Sequence, residues 1–155
     1  MSQATFRAAL TELAAALTGR PLDADLDAWL NLHHGAGSAT FTRLADEIRA
    51  GVAEGWLCNR EGGGIRYGRI FKAADDLAGC SVDVVDMTDI VGPHHRHPHG
   101  EIDLIVPVDA EARFDGRGAG WCVYGPDSAH RPTVRGGRAF VLYLLPQGAI
   151  EFTGQ

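Results

Sequence analysis

Gly92-Pro93-His94-His95-Arg96-His97-Pro98-His99-Gly100-Glu101 is the stretch on which the fold of this chain turns. Its histidines at 95 and 97 are two apart, and two-residue spacing on a β-strand sends both side chains to one face. Pro98-His99-Gly100 reads as a turn. Glu101 opens an apolar run suited to a strand that returns beside the first as a hairpin. That hairpin would set three donors on one inner surface. A lone histidine, His130, follows 29 residues after Glu101 in a second turn-to-strand context and would come from a later strand. Three imidazoles and a carboxylate from two distant segments form the donor set of a mononuclear metal site. The chain therefore reads first as a small metal-binding β-barrel.

Neutral imidazole nitrogen together with carboxylate oxygen suits Fe, Mn, Zn, Ni or Co, so one divalent transition metal per chain is expected. Three histidines and one glutamate leave a coordination position open for water or substrate. The bland alternative is a solvated histidine-rich loop. Against it stand the strand spacing, the glutamate four residues after His97, and a separate histidine far along the chain. His94 and His99 are placed outside the ligand set, although His99 has the parity of His95 and His97 and competes for a place.

The totals narrow the surroundings of such a site. The 155 residues fit a single domain with one sizeable core, and 45% hydrophobic residues is ordinary for a globular chain. A formal charge of −6 and a single lysine, Lys72, disfavour a nucleic-acid partner, which needs clustered cations against phosphate. No apolar stretch approaches the roughly 18 residues of a membrane span, and the start lacks a signal-peptide block, so a cytoplasmic location is expected. Cys58, Cys80 and Cys122 are odd in number and unspaced for zinc, and read as small buried residues.

Composition shifts near residue 56: six of the seven prolines and fifteen of the twenty glycines lie beyond it. Residues 1–56 are expected to form a helical segment packed on a barrel of residues 57–155. Phe6, Leu10, Leu13 and Leu17 make one helical stripe, stopped near Gly19 and Pro21. Asp23 is placed to cap a second helix carrying Leu26, Trp29 and Leu30 inward, and Ser38 a third carrying Phe41, Leu44, Ile48 and Val52, ended by Gly55. Beyond Trp56 the period approaches two. Strands are expected at 65–73, 80–87, 94–97, 101–106, 120–124, 139–144 and 149–152. Gly62-Gly63-Gly64 reads as a hairpin loop rather than a phosphate cradle, since no Lys-Ser/Thr follows. Many short strands between Gly and Pro turns suggest a sandwich or barrel.

The segment His95-Arg96-His97-Pro98-His99-Gly100-Glu101 resembles the HxHxxxE core of the first cupin motif, and Tyr124-Gly125-Pro126-Asp127-Ser128-Ala129-His130-Arg131-Pro132 a degenerate second one. Two positions depart from the pattern: Val108 stands where cupins usually carry glycine, and the interval from Pro126 to His130 is one residue short. The resemblance implies a mainly β, double-stranded β-helix (jelly-roll) fold with His95, His97, Glu101 and His130 as metal ligands. A narrower resemblance covers nearly the whole chain. Gly51-Val52-Ala53-Glu54-Gly55-Trp56-Leu57-Cys58, Gly63-Gly64-Ile65-Arg66-Tyr67-Gly68-Arg69, Ser81-Val82-Asp83-Val84-Val85-Asp86-Met87, Gly100-Glu101-Ile102-Asp103-Leu104 and Tyr143-Leu144-Leu145-Pro146 are similar to the 4-hydroxylaminobenzoate lyase family. It implies conversion of 4-hydroxylaminobenzoate to 3,4-dihydroxybenzoate with release of ammonia.

Other residues are candidates for the chemistry around such a centre. Asp103 shares strand parity with Glu101, so both face inward while Ile102, Leu104 and Val106 pack behind; it is a proton shuttle or an orienting partner of a ligand histidine. Tyr143 and Glu101 join it as catalytic candidates. Arg66, Tyr67, Arg69 and Tyr124 are candidates to hold a small aromatic acid, whose carboxylate suits a guanidinium. Alternation places only one of Arg66 and Arg69 inward unless a bulge falls at Gly68. A serine nucleophile at Ser128 is set aside because no elbow motif surrounds it. The same site fits two other readings, an Fe(II) oxygenase of an aromatic substrate and a ligand-binding cupin without turnover. Open sheet edges lead to the expectation of a homodimer.

Overall fold

Ser2, Asp23 and Ser38 are each extended, and each turns a side-chain oxygen onto the backbone N–H three residues on: those of Thr5, Leu26 and Phe41. Satisfying an orphan N–H in this way starts a helix. In the computed structural model, which describes residues 1–155, the helices are α1 (Gln3–Leu17), α2 (Ala24–His34) and α3 (Ala39–Glu54). Gly55 ends α3 in the left-handed conformation at φ +85°. No helix is long and apolar enough to cross a membrane.

Ten strands follow: β1 (Arg60–Gly62), β2 (Ile65–Phe71), β3 (Cys80–Val91), β4 (His95–His97), β5 (Glu101–Pro107), β6 (Arg113–Phe114), β7 (Gly120–Tyr124), β8 (Ser128–His130), β9 (Thr133–Pro146) and β10 (Glu151–Phe152). All pairings are antiparallel. The large sheet has the order β1-β2-β3-β9-β5-β7 with β6 also on β9, and the small sheet the order β10-β4-β8. This is a mainly β architecture of two antiparallel sheets with three amino-terminal helices.

Three expectations are corrected here. The segments at 95–97 and 101–107 are not a hairpin: β4 pairs with β8 and β10, while β5 pairs with β7 and β9, so they belong to different sheets. Strands β3 and β9 run longer than their apolar cores. The Gly136-Gly137 pair in β9 does not end the strand, because the Asp89 carboxylate accepts both of its N–H groups, at 2.8 and 3.2 Å, across a register shift. Strands β1, β6 and β8 are too short and polar to show an apolar period.

Alternation across the large sheet sorts its side chains into two cores. Val82, Val84, Ile102, Leu104, Val106, Trp121, Phe140, Leu142 and Leu144 join the helix stripes led by Phe6, Leu10, Leu30, Leu44 and Ile48. Val85, Met87, Ile105, Cys122, Val141, Tyr143 and Leu145 form the opposite face with Phe114 and Val134. Each fully buried aliphatic side chain is worth about 1.5–3 kcal/mol, so the two faces anchor the sheet between the helices and its inner surface. The exposed edge of β7 is covered rather than left open. Asn31 of α2 donates to the Trp121 carbonyl at 2.9 Å and accepts from the Trp121 N–H at 2.8 Å, and Asp27 accepts from the Val123 N–H at 2.9 Å. Two residues one helical turn apart thus stand in for a missing strand.

Candidate metal centre

His95 and His97 leave the same face of β4, and register places His130 of β8 directly opposite His95. Directly paired residues have Cβ atoms about 5 Å apart, so two imidazoles meet by strand pairing alone. Glu101 arrives from the large sheet. The turn at Pro98–Gly100 carries the chain from one sheet to the other, and Gly100 is required there: at φ +87°, a Cβ would lie 2.6 Å from the Tyr124 carbonyl oxygen and 2.8 Å from Leu22 Cδ2. The two sheets face each other, and their inner sides bring the four residues together.

The ligating atoms of His95, His97, Glu101 and His130 all lie within 4.8 Å of one another. Glu101 sits 3.2 Å from His97 Nε2, and 3.9 Å from the Nε2 atoms of both His95 and His130. The two latter nitrogens are 3.1 Å apart. His97 and Glu101 are wholly buried, His95 nearly so, and His130 shows the most side chain to solvent, at 14%.

Hydrogen bonds on the far side of each ring fix which nitrogen faces the centre. His95 Nδ1–H donates to the Pro93 carbonyl at 3.3 Å. The Ser128 hydroxyl spends its proton on the Gly125 carbonyl at 2.6 Å, so its oxygen accepts from His97 Nδ1–H at 2.9 Å. His130 Nδ1–H donates to the Asp115 carboxylate at 2.6 Å. Every Nε2 then presents a lone pair inward, toward two carboxylate oxygens that have no hydrogen-bond partner, and His97 Nε2 has none either. A buried cluster of acceptors without a donor is costly unless a cation sits among them. The residues fit a divalent metal. Burial holds the His95 pKa down at about 4 against the pull of Glu101, so that ring is neutral and able to ligate near pH 7.

The neighbouring candidates separate by face. Glu101 and Asp103 both point inward from β5. Asp103 is wholly buried with neither oxygen hydrogen-bonded, and burial, then the charge of Glu101, pushes its carboxyl well above the carboxylate range. Tyr143 pairs with Asp103 across the sheet, its ring 6.4 Å from that of His95, and burial, then the charge of Glu101, pushes its phenol well above its ordinary range. The Tyr124 ring lies 4.5 Å from His130 and 5.4 Å from His97, with its hydroxyl donating to Asp115.

Arg69, Asp83, Tyr143, Asp103 and Cys122 form one continuous cross-strand row on the inner face. Tyr67 shares that face through Val85 and Val141, whereas Arg66 pairs with Asp86 and Phe140 on the helix side. The register shift in β2 falls between Arg69 and Phe71, so no bulge at Gly68 brings both arginines inward. His99 is exposed at the turn and His94 bonds Thr153, both outside the cluster.

Asp115 and Ser128, which hold two of the rings, are the residues that sequence reasoning missed in these roles. Phe114 and Arg117 exchange backbone hydrogen bonds of 2.8 and 2.9 Å around Asp115 and Gly116, both at positive φ. Asp-Gly is a strong sequence signal for such a tight turn. Nothing local shows that the turn lands beside His130.

The family model for 4-hydroxylaminobenzoate lyase, PnbB, matches residues 8–152. A 4-hydroxylaminobenzoate lyase of Nocardioides sp. (strain LMS-CY) is 36% identical over 145 residues, covering 88% of this chain and 86% of that protein. The 4-hydroxylaminobenzoate lyase of Pseudomonas putida is 30% identical, covering 93% and 92%. Among solved structures, an RmlC-like cupin protein of Ralstonia eutropha JMP134 is 12% identical with a TM-score of 0.40, over 55% of this chain and 58% of that one.

Proposed function

This chain belongs to the 4-hydroxylaminobenzoate lyase family, and from that premise and the buried donor set we propose that it is a metal-dependent lyase of 4-hydroxylaminobenzoate or a close aromatic hydroxylamine. The reaction takes up one water and gives 3,4-dihydroxybenzoate and ammonia, with atoms balanced and no net oxidant. The observation that carries the metal-dependent reading is the inward convergence of three Nε2 atoms on an unpartnered carboxylate. His95, His97, Glu101 and His130 would hold a divalent metal, which would supply Lewis acidity for weakening the N–O bond.

The remaining work falls to the chain's own groups. We assign to Asp103 and the Tyr143 phenol, both buried on the inner face, the delivery and recovery of protons as the N–O bond breaks and nitrogen leaves. Arg69 is the inward cation for the substrate carboxylate. Its Nε and one Nη hold Asp83, and the other Nη is unengaged. Three strand spacings, about 14 Å, separate the backbones of Arg69 and Asp103. A para-substituted benzoate held by Arg69 would lie over Asp83 and Tyr143, the two residues between Arg69 and Asp103 in that row. Tyr67 and Tyr124 contribute ring surface at either end of it.

The test is ammonia release from 4-hydroxylaminobenzoate under anaerobic conditions, with protein stripped of metal and reloaded with each of Fe, Mn, Zn, Ni and Co. Turnover restored by at least one metal, and lost together with bound metal in His97→Ala, is expected. Full activity in the stripped protein would overturn the metal-dependent reading, and strict dependence on oxygen would transfer the site to oxidative chemistry.

A further inference from the structure

We propose that Asp115 is a positioning residue for the metal centre: its carboxylate fixes the tautomer of His130 and strengthens that ring as a donor. The inference rests on the metal-dependent reading above. Each ring of the cluster has an oxygen behind it, but only His130 has a carboxylate there; His95 is backed by a backbone carbonyl and His97 by a hydroxyl. An anionic acceptor on Nδ1–H raises the basicity of Nε2, and partners of this kind are worth roughly 10–100-fold in metal affinity.

Asp115 is held for the task from several sides. Its N–H donates to the Thr133 carbonyl at 2.8 Å, and its Oδ1 accepts the Thr133 N–H at 2.9 Å, which pins the turn to β9. Its Oδ2 accepts from both His130 and the Tyr124 hydroxyl. The Tyr124 ring in turn packs at a tilt beside His130 and His97, so one carboxylate orients a ligand and the aromatic wall next to two ligands. The turn does not demand the charge, because asparagine serves a two-residue turn of positive φ at least as well. Charge at this position is therefore explained by what it faces.

Asp115→Asn keeps the turn chemistry and the side-chain shape while removing the anion. Metal affinity is measured by competition with a chromophoric chelator, using Zn²⁺ and Co²⁺ alone, with the visible absorption of the Co²⁺ form as a reporter of the ligand field. The expected result is affinity at least tenfold weaker with an altered Co²⁺ spectrum, while Tyr124→Phe stays closer to wild type. Affinity within twofold of wild type and an unchanged spectrum would overturn the inference. A wild-type protein that binds neither ion would instead overturn the metal reading beneath it. A measurement on unmutated protein stands if the variant fails to fold: histidine ring ¹⁵N–¹H correlation of the metal-free form should show His130 protonated at Nδ1, with that proton far downfield. Protonation of His130 at Nε2 alone would refute the assignment.

Discussion

Glu101→Gln should make the metal-free protein more stable while abolishing its response to metal. His97 Nε2 faces Glu101 Oε2 at 3.2 Å, and neither carboxylate oxygen is hydrogen-bonded. A buried polar group left unsatisfied costs about 1–3 kcal/mol. The amide of glutamine is close in shape and carries donors. One N–H can reach His97 Nε2, and the other points to the inner face where the Asp103 oxygens are also without partners. A gain of about 2 kcal/mol follows, or about 4–8 °C in Tm for a chain of this length. Wild type responds the opposite way to metal: at a hundredfold excess over Kd it gains about 2.7 kcal/mol, roughly 5–11 °C. Glutamine is a weak ligand and forfeits that gain. Thermal melts of both proteins in chelator and in excess metal give four midpoints. The reasoning fails if the metal-free variant melts below metal-free wild type, because the buried carboxylate would then be stabilising in itself.

Asn31→Ala removes the substitute strand from the β7 edge and leaves the Trp121 N–H without its acceptor. A loss of about 2–3 kcal/mol is expected by urea titration, with Asn31→Asp, which keeps the acceptor, losing less; equal stability of all three proteins would show that the edge needs no cover. Arg69→Gln should raise KM for 4-hydroxylaminobenzoate about tenfold or more with kcat nearly unchanged, and Arg66→Gln, on the opposite face, should leave both within twofold. Steady-state kinetics decide this, and a reversed order of the two variants would remove Arg69 from the substrate site. The thiols give a pH prediction. Burial pushes Cys58 up to about 12 and Cys80 to about 11, against 9.0 unperturbed, so native protein at pH 8 should resist iodoacetamide until denatured. The folded state retains protons that the unfolded chain releases. The stability from these groups is therefore intact below about pH 9 and lost as pH rises through 11 and 12. Rapid labelling of the native protein would contradict it.

Local chemistry was legible wherever one residue type has one physical use. Asp23 and Ser38 cap helices where a side-chain oxygen precedes an apolar stripe, and Gly55 ends α3 because a left-handed residue is needed there. Two-residue spacing put His95 and His97 on one face, and Glu101 and Asp103 on another. Strand ends were less visible. The last long strand is expected to begin at 139, whereas β9 begins at Thr133 and passes through Gly136-Gly137, whose N–H groups are held by Asp89, 47 and 48 residues earlier. The resemblance to the lyase family rested on phrases spread along the chain, and the match over residues 8–152 bears it out.

The helix starts and the alternation of faces are fixed by sequence alone, because each depends on side-chain chemistry and a backbone period of a few residues; the four donors came from the motif resemblance, with His99 still in competition by parity. Tertiary structure decided the rest. It assigned β4 and β5 to separate sheets, chose Arg69 over Arg66 for the inner face, and brought Asp115 and Ser128 behind two of the rings. Those outcomes depend on which distant strands pair and in what register, and the free energy that selects a register is summed over two whole buried faces rather than written in any one segment.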